Sequence, residues 1–288
     1  MTKESNQKEA RIAAFFDFDK TIIAVDSAGK EATTVLAKLY QHHFLVLAGL
    51  ILCTLINPLV EKNWVNTETL NLVYYFCCYR NFPVIELQAH AHDLYQRLLK
   101  PAVYQEILEK LQEHQKKGHL VVLLSATSEH LIQPFAKEYN VDVCIATKIK
   151  TNATNDCYTG VVDGKVCCQA TKAEHIQRLA QEYNLDLNKS YAYSDHHHDI
   201  PLLESVGNAS VVHPTPILEV EAKKREWPIL RPAIPDIVAA ARSNGNKSKD
   251  QVPQSDSIPS AVILFGVGVA IVLVGAPTLI WKFVSSQS

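Results

Sequence analysis

Two short apolar runs, each ending in polar residues, most strongly limit what this chain can fold into. Arg11–Phe16 (RIAAFF) is followed by aspartates, and His119–Leu124 (HLVVLL) is followed by Ser125. Apolar runs without polar alternation are typical of parallel strands that are buried on both faces. We therefore predict a parallel sheet whose polar, reactive side chains follow the carboxyl ends of its strands.

The rest of the pattern alternates helices with strands. This alternation predicts an α/β fold, a Rossmann-like parallel sheet with helices on both faces. One exception is a predicted hairpin over Cys157–Cys168, with its turn at Asp163 and Gly164. The other predicted elements are helices Val103–Lys117, Glu129–Tyr139 and Lys172–Tyr183, and strands Val141–Ala146, Tyr191–Ser194 and Ala209–His213.

The charge and cysteine content exclude several classes of protein. The 288 residues include 28 basic and 30 acidic ones, which provides no basic surface for nucleic acid. The seven cysteines are odd in number and lack the spacing of a disulfide framework or a zinc site. The polar N-terminus lacks the apolar stretch of a secretory signal. We therefore expect no nucleic-acid partner, reduced thiols and a folded domain in the cytoplasm.

An uncharged apolar segment lies near the C-terminus. Ala261–Trp281 has 21 residues without a charge, and a helix of that length spans about 30 Å, the thickness of a bilayer core. A buried core helix is the alternative, but such helices are rarely apolar on every face over this length. We predict a transmembrane helix over 261–284 after a polar linker over 231–260. The protein would then be a single-pass, C-terminally anchored membrane protein with its folded domain in the cytoplasm.

Four acidic residues follow two of the predicted strands. Asp17 and Asp19 lie in the sequence DFDKT, and Asp195 and Asp199 lie in SDHHHD. Clustered carboxylates repel one another unless a cation neutralises them. Ligands that are all oxygen suit a hard ion, and Mg²⁺ is the expected one because it retains waters and binds phosphates.

Four short motifs follow one another along these strand ends. They are DFDKT from Asp17, LLSATS around Ser125, Lys172, and YAYSDHHHD ending at Asp199. In this order they resemble the haloacid dehalogenase superfamily phosphatases, of the phosphoserine-phosphatase-like subfamily IB. The similarity runs from Arg11 to Leu230. It implies a phosphohydrolase core over 1–22 and 112–230, and an inserted helical cap over 23–111.

The resemblance also implies catalytic roles for individual residues. Asp17 would be the nucleophile that forms an aspartyl-phosphate. Asp19 would protonate the leaving oxygen and then activate water. Ser125 would hydrogen-bond the transferred phosphoryl group, and Lys172 would offset negative charge.

The metal and substrate positions follow from the same resemblance. Mg²⁺ would be held by Asp17, by the backbone carbonyl of Asp19 and by Asp195, while Asp199 would support the metal or orient Lys172. The expected substrate-binding positions are the backbone N–H groups at Phe18 and Ala126, the side chain of Asp26, where phosphoserine phosphatases carry a glutamate, and the cap arginine Arg80.

Two positions depart from the usual family pattern. Lys20 stands where glycine is more usual in the first motif, and His196 stands where relatives usually carry serine. Three consecutive histidines, His196 to His198, also raise the question of zinc. Because consecutive residues rarely converge on one metal ion, we expect these side chains to be solvated or to support the neighbouring site.

The insert contains a second apolar segment, Phe44–Val60. A single membrane crossing there would place Asp17 and Ser125 on opposite sides of the bilayer, so the site could not assemble. Two interpretations remain open: a buried cap helix, or a surface that dips into lipid. A lipid-facing cap would suit a lipid phosphate as substrate.

The sequence therefore predicts a magnesium-dependent phosphomonoester phosphatase at a membrane, with a lipid phosphate as one substrate class. The alternatives are an anchored phosphatase of soluble metabolites, such as phosphoserine, and a phosphotransferase. A non-enzymatic membrane scaffold is disfavoured because every motif residue is present. The sequence contains no indication of oligomeric state.

Overall fold

A central parallel sheet organises the protein, whose computed structural model describes residues 10–31, 67–154 and 156–241. Six strands form this main sheet in the order β3-β2-β1-β6-β7-β8, and two form a separate antiparallel pair, β4-β5. The strands are β1 (Ala13–Phe16), β2 (Leu120–Ser128), β3 (Val143–Thr147), β4 (Ile149–Thr151), β5 (Tyr158–Val162), β6 (Tyr191–Ser194), β7 (Asn208–Val212) and β8 (Ile229–Leu230).

Helices connect these strands and cover both faces of the main sheet. The helix α2 continues into a π-helical turn, Tyr95–Leu99, and a 3₁₀ turn, Lys100–Ala102. Another 3₁₀ turn, His197–Asp199, precedes α6, and residues 27–31 and 236–241 are also helical. The α-helices are α1 (Thr67–Tyr79), α2 (Val84–Leu94), α3 (Gln105–Lys116), α4 (Glu129–Glu138), α5 (Ala170–Tyr183), α6 (Ile200–Glu204) and α7 (Pro216–Lys224).

The side chains of β1 alternate between the two layers of core. Ala14 and Phe16 pack in one hydrophobic cluster with α3 and α4, and Ala13 and Phe15 pack in the other with α5, α6 and α7. All four side chains are fully buried, as a strand covered on both faces requires. The predicted α/β fold, a parallel sheet with helices on both faces, is confirmed.

The predicted hairpin over Cys157–Cys168 is wrong in its pairing. The strand β5 pairs with β4, which precedes it, with Ile149 opposite Val162. The segment Val166–Cys168, expected to form the second strand, is buried instead and packs into the hydrophobic clusters. Apolar side chains in this segment therefore fill the core and do not line an edge strand.

The strand β2 carries an irregularity where it approaches its carboxyl end. Ser125 pairs with Ala146 of β3, but the next paired residue is Ser128, opposite Thr147. The intervening Ala126 and Thr127 are thus set off from regular pairing. Such bulges often redirect side chains next to functional sites, and these two residues follow Ser125 directly.

A buried polar network joins the inserted segment to the main domain. The hydroxyl of Tyr79, at the end of α1, donates to the Glu31 carboxylate and lies 3.2 Å from the Ser128 hydroxyl. Glu31 Oε1 also lies 2.8 Å from His130 Nε2 at the start of α4. The helix α1 therefore contacts the carboxyl end of β2. The predicted division into a core and a cap over 23–111 stays a prediction.

No helix within the described ranges is both long and apolar enough to cross a membrane. The predicted span over 261–284 and the apolar segment Phe44–Val60 lie outside the described residues.

A histidine on α3 makes a buried contact with the sheet. Its Nε2 lies 3.0 Å from the Tyr193 hydroxyl, and its Nδ1 lies 2.8 Å from Nδ1 of His119. This residue, His114, is buried, and its burial and the neighbouring His119 lower its pKa from 6.5 to about 4. The neutral form of His114 is therefore the one that the fold accommodates.

We expect acid to destabilise the fold through His114. The unfolded chain takes up this proton near pH 6.5 and the folded protein near pH 4, so the contribution is full above 6.5 and is lost between these values. The loss would be at most about 3 kcal/mol, because solvent screening reduces the effect. Urea unfolding of the wild type and His114→Leu at several pH values tests this, because the variant should show a shallower dependence on pH. Identical slopes would contradict it.

Candidate functional site

The candidate site lies where the carboxyl ends of three neighbouring strands meet. Asp17 follows β1, Ser125 lies near the end of β2, and Asp195 follows β6. Because β1 lies between β2 and β6 in the sheet, the three residues are brought to one edge. Lys172 reaches the same place from the first turn of α5. All four residues are buried.

Lys172 is the central cation of this cluster. Its Nζ lies 2.6 Å from Asp17 Oδ1 and 2.6 Å from Asp199 Oδ2. The Ser194 hydroxyl donates to the same Asp199 oxygen at 2.7 Å, and the Thr21 hydroxyl donates to Asp17 Oδ2 at 3.2 Å. Both carboxylates are therefore fixed in orientation by donors on more than one element.

Burial and neighbouring charges shift the pKa values of the ionisable groups in this cluster. Burial would lower the pKa of Lys172, but the carboxylates of Asp17 and Asp199 outweigh it, and the net shift is upward. Burial also raises the pKa of Asp17, against the opposing effect of Lys172. Burial and the charges of Asp17 and Asp199 raise the pKa of Asp195 well above its usual value. One lysine thus does not neutralise three carboxyl groups, and a divalent cation with oxygen ligands fits here.

Asp19 is held by hydroxyl and backbone donors from two distant segments. Its Oδ1 accepts the backbone N–H of Ser27 at 2.8 Å, and its Oδ2 accepts the hydroxyls of Ser27 at 3.0 Å and of Thr127 at 2.5 Å. Burial and the charge of Asp26 raise the pKa of Asp19 to about 7, although the hydroxyl donors oppose this rise. A carboxyl group with this pKa can both give and accept a proton near neutral pH.

A cavity of about 270 Å³ opens at this edge of the sheet. Its walls combine the acidic cluster with residues of the inserted segment and of α5. Within the described part of the chain they are Asp17, Asp19, Lys20, Asp26, Leu70, Asn71, Ser125, Ala126, Cys168, Gln169, Lys172, Asp195, His196, His198 and Asp199.

The four expected substrate-binding residues do not all lie at the cavity. Ala126 and Asp26 line the cavity, and Asp26 Oδ1 also accepts the backbone N–H of Gly29. The Phe18 side chain is fully buried against Phe135, while its backbone N–H interacts with the Asp17 carboxylate. The structure does not bring Arg80 to the cavity.

Arg80 instead lies at the end of α1. Its guanidinium lies over the ring of Phe76, 4.8 Å from the ring centroid. The residue is exposed, so its position indicates surface packing and gives no support to a head-group role.

Two residues of the cavity wall have a backbone conformation that favours glycine. Lys20 has a φ of 57° and Gln169 has a φ of 47°. A positive φ of this size is strained for a residue with a Cβ. Strain of this kind clusters at functional sites. Lys20 lies between Asp19 and Thr21, and Gln169 directly precedes the helix that carries Lys172.

The three consecutive histidines do converge, contrary to the expectation from sequence. Each contributes a ring nitrogen to a group whose members lie within 4.8 Å of one another. The reason is the tight 3₁₀ turn that begins after His196, in which the backbone N–H of His198 donates to His196 Nδ1 at 3.2 Å. His196 and His198 face the cavity, and burial and the neighbouring histidines lower the pKa of His196 to about 3.

Sequence reasoning missed the residues that orient the carboxylates of the candidate site. Thr127 lies 108 positions from Asp19, and Ser27 lies eight positions from it, beyond a loop. Ser194 donates a hydrogen bond to Asp199, but from the sequence it was predicted only as the last residue of a strand. Hydroxyl residues beside each motif were a signal, but the sequence alone does not show which carboxylate each one meets.

A comparison with protein families agrees with this geometry. The model of the haloacid dehalogenase-like hydrolase family matches residues 14–204. This range covers most of the chain and includes every residue of the buried cluster.

The sequences of similar proteins align with most of the chain. An inhibition of morphological differentiation protein of Streptomyces azureus is 31% identical over 78% of this chain and 80% of its own length. A probable phosphatase of Mycobacterium tuberculosis is 28% identical over 93% of this chain and 88% of its own length. Among solved structures, a phospho-aspartyl intermediate analogue of phosphoserine phosphatase superposes with a TM-score of 0.58 at 16% identity. It covers 78% of this chain and 95% of its own, which shows a shared fold.

We predict that removal of the Thr127 hydroxyl slows turnover. Thr127→Val keeps the shape of the side chain but removes one of the donors that fix Asp19, so kcat for phosphate release should fall about tenfold or more while KM changes little. Steady-state kinetics measures both constants.

Thr159→Val is the matched control. Thr159 also donates a hydrogen bond, to the carbonyl of Lys150, but it lies in the β4-β5 pair and does not line the cavity. Its kcat should equal that of the wild type. Full kcat in Thr127→Val would show that the hydroxyl does not orient Asp19.

Proposed function

The chain belongs to the haloacid dehalogenase-like hydrolase family and is a phosphatase of that type, and we propose that it hydrolyses phosphomonoesters with Mg²⁺ through an aspartyl-phosphate on Asp17. The observation that carries the proposal is the contact of Lys172 with both Asp17 and Asp199 at 2.6 Å. This contact holds the Asp17 carboxylate at the cavity and opposes the rise in its pKa that burial causes.

Transfer of the phosphoryl group to the protein is the first step. A carboxylate oxygen of Asp17 attacks phosphorus, and the bond from phosphorus to the ester oxygen breaks. Asp19 gives its proton to that leaving oxygen, so an alcohol departs. A pKa of about 7 supports this role, because much of the Asp19 population then carries a proton at neutral pH.

Hydrolysis of the aspartyl-phosphate is the second step. Asp19, now ionised, takes a proton from water as the water oxygen attacks phosphorus. The bond to Asp17 breaks, which releases inorganic phosphate and restores both groups. Ser125 and the backbone N–H groups at Phe18 and Ala126 would hold the phosphoryl oxygens during both steps.

The acidic cluster fits a magnesium ion because its donors are all oxygen and its charges exceed what Lys172 balances. Asp17, Asp195, Asp199 and the carbonyl of Asp19 would hold the ion. Bound there, Mg²⁺ would neutralise the charge of the phosphate and of the carboxylates around it.

We further propose that the natural substrate is a lipid phosphate, met at a membrane surface. The segment Phe44–Val60 supports this, since it connects two elements at the cavity. Before it, residues 27–31 carry Ser27, which holds Asp19; after it, α1 supplies Leu70 and Asn71 to the cavity wall. An apolar segment between these elements would be well placed to meet a lipid tail.

Association with the bilayer would come from the C-terminal segment 261–284, with the catalytic domain in the cytoplasm. The 21 uncharged residues from Ala261 are long enough for one crossing. This anchor would hold the catalytic domain close to lipid substrates.

Phosphate release should depend on Mg²⁺ and on Asp17. Full-length protein in detergent is assayed for inorganic phosphate with magnesium or with a chelator, and Asp17→Asn should be inactive because an amide is a poor nucleophile. Asp163→Asn, an exposed carboxylate outside the cavity, is the control and should be fully active. Chelator-resistant release would contradict the magnesium proposal, and phosphoryl transfer to an added alcohol would indicate a phosphotransferase.

A substrate panel tests the lipid proposal. It contains lysophosphatidate, phosphatidylglycerophosphate, sugar phosphates, phosphoserine and p-nitrophenyl phosphate. We expect kcat/KM to be at least about tenfold higher for lipid phosphates, a difference of about 1.4 kcal/mol in the transition state. Turnover confined to soluble phosphates would instead indicate an anchored metabolite phosphatase.

Membrane association should depend on the apolar character of residues 261–284. Two lysines in this segment, Ile271→Lys with Leu273→Lys, would cost about 3 kcal/mol each in a bilayer centre, so the protein should shift from the membrane to the soluble fraction. The control adds the same charge in the linker, with Ser255→Lys and Ser257→Lys. A membrane fraction unchanged by the first pair would rule out this anchor.

A further inference from the structure

We propose that Lys20 forms a second anion-binding position at the mouth of the catalytic cavity and selects substrates whose leaving group carries its own negative charge. A carboxylate and a phosphodiester both meet this description. This inference rests on the proposed function, because it concerns the part of a phosphomonoester that leaves with its alcohol.

The charges of the cavity wall make Lys20 different from its neighbours. Two lysines line the cavity within the described residues, and Lys172 is committed to Asp17 and Asp199. Lys20 is exposed and makes no ion pair with a residue of the described ranges. It therefore offers a cation that is accessible from solvent and that a substrate can approach.

The position of this cation relative to the acidic cluster supports the proposal. Lys20 lines the same cavity as Asp195 and His196 and, unlike the buried Lys172, it is exposed to solvent. Lys172 lies deeper, in contact with the attacking carboxylate. A phosphoryl group held by the inner donors would thus leave its alcohol portion toward the mouth, where Lys20 lies.

The backbone at Lys20 argues for a role of its side chain. With a φ of 57°, the position would accept glycine with less strain. A lysine here destabilises the loop slightly and adds a positive charge beside the site. The simplest function of that charge is to attract an anion, and the inner anion, the reacting phosphate, already has Lys172.

An alternative is that Lys20 only offsets the negative charge of Asp195. In that case its removal would affect every phosphomonoester alike, because Asp195 belongs to the common machinery. Selection of a second anion predicts instead a loss that depends on the leaving group. Matched substrate pairs separate the two.

The test compares Lys20→Met and Lys20→Gly with the wild type on two such pairs. Phosphoserine and phosphoethanolamine differ only in a carboxylate. Phosphatidylglycerophosphate and lysophosphatidate serve as the lipid pair, in which only the former carries a phosphodiester. The control is Lys150→Met, an exposed lysine of β4 outside the cavity, which should leave every rate unchanged.

We expect the ratio of kcat/KM within each pair, the substrate with the carboxylate or phosphodiester over its partner, to fall about tenfold in both Lys20 variants, mainly through KM. Lys20→Arg should restore most of the ratio. The pair that shows the fall identifies the anion as a carboxylate or a phosphodiester. Lys20→Gly should at the same time be as stable to urea as the wild type or more so, which separates the kinetic loss from unfolding.

The proposal would be overturned if the kcat/KM ratios of both pairs stayed equal to those of the wild type. It would also be overturned if kcat/KM fell by the same factor for all four substrates. If the wild type released no phosphate from any substrate, including p-nitrophenyl phosphate, the proposed function itself would fail and this inference with it.

Discussion

The buried ammonium group of Lys172 is the interaction on which the rest of the site depends. It lies between two carboxylates that would otherwise repel each other in a dry environment, 2.6 Å from an oxygen of each. Loss of one partner from a buried ion pair commonly costs about 3–5 kcal/mol, a large fraction of the free energy of unfolding of a typical domain. The same contact opposes the rise in the pKa of Asp17 that burial causes, so one interaction stabilises both the fold around the site and the charged form of this carboxyl group.

The parallel sheet makes this convergence possible. Asp17, Ser125 and Asp195 come from three adjacent strands whose carboxyl ends meet at one edge, and the irregular end of β2 turns Thr127 toward Asp19. The strands themselves are held by apolar side chains on both faces. The side chains of the site are therefore positioned by strands that are packed on both faces.

The segment between β1 and β2 also orients residues of the site. Ser27 donates to both carboxylate oxygens of Asp19, and the buried network of Glu31, Tyr79 and His130 ties the segment between β1 and β2 to the end of β2. Burial, together with the charge of Asp26, raises the pKa of Asp19 to about 7, close to neutral pH. Residues of this segment therefore orient Asp19 and also contribute to the cavity wall.

The sequence by itself determined the sheet, its strand ends and the residues Asp17, Ser125, Lys172 and Asp195, because apolar runs and the motifs that follow them are local patterns. Only the tertiary structure decided which hydroxyls hold which carboxylate, that β5 pairs with β4, that Arg80 lies outside the cavity, and that three adjacent histidines converge. These outcomes depend on contacts between segments far apart in the chain, or on the exact turn of the backbone. Hydrophobic periodicity does not encode either one.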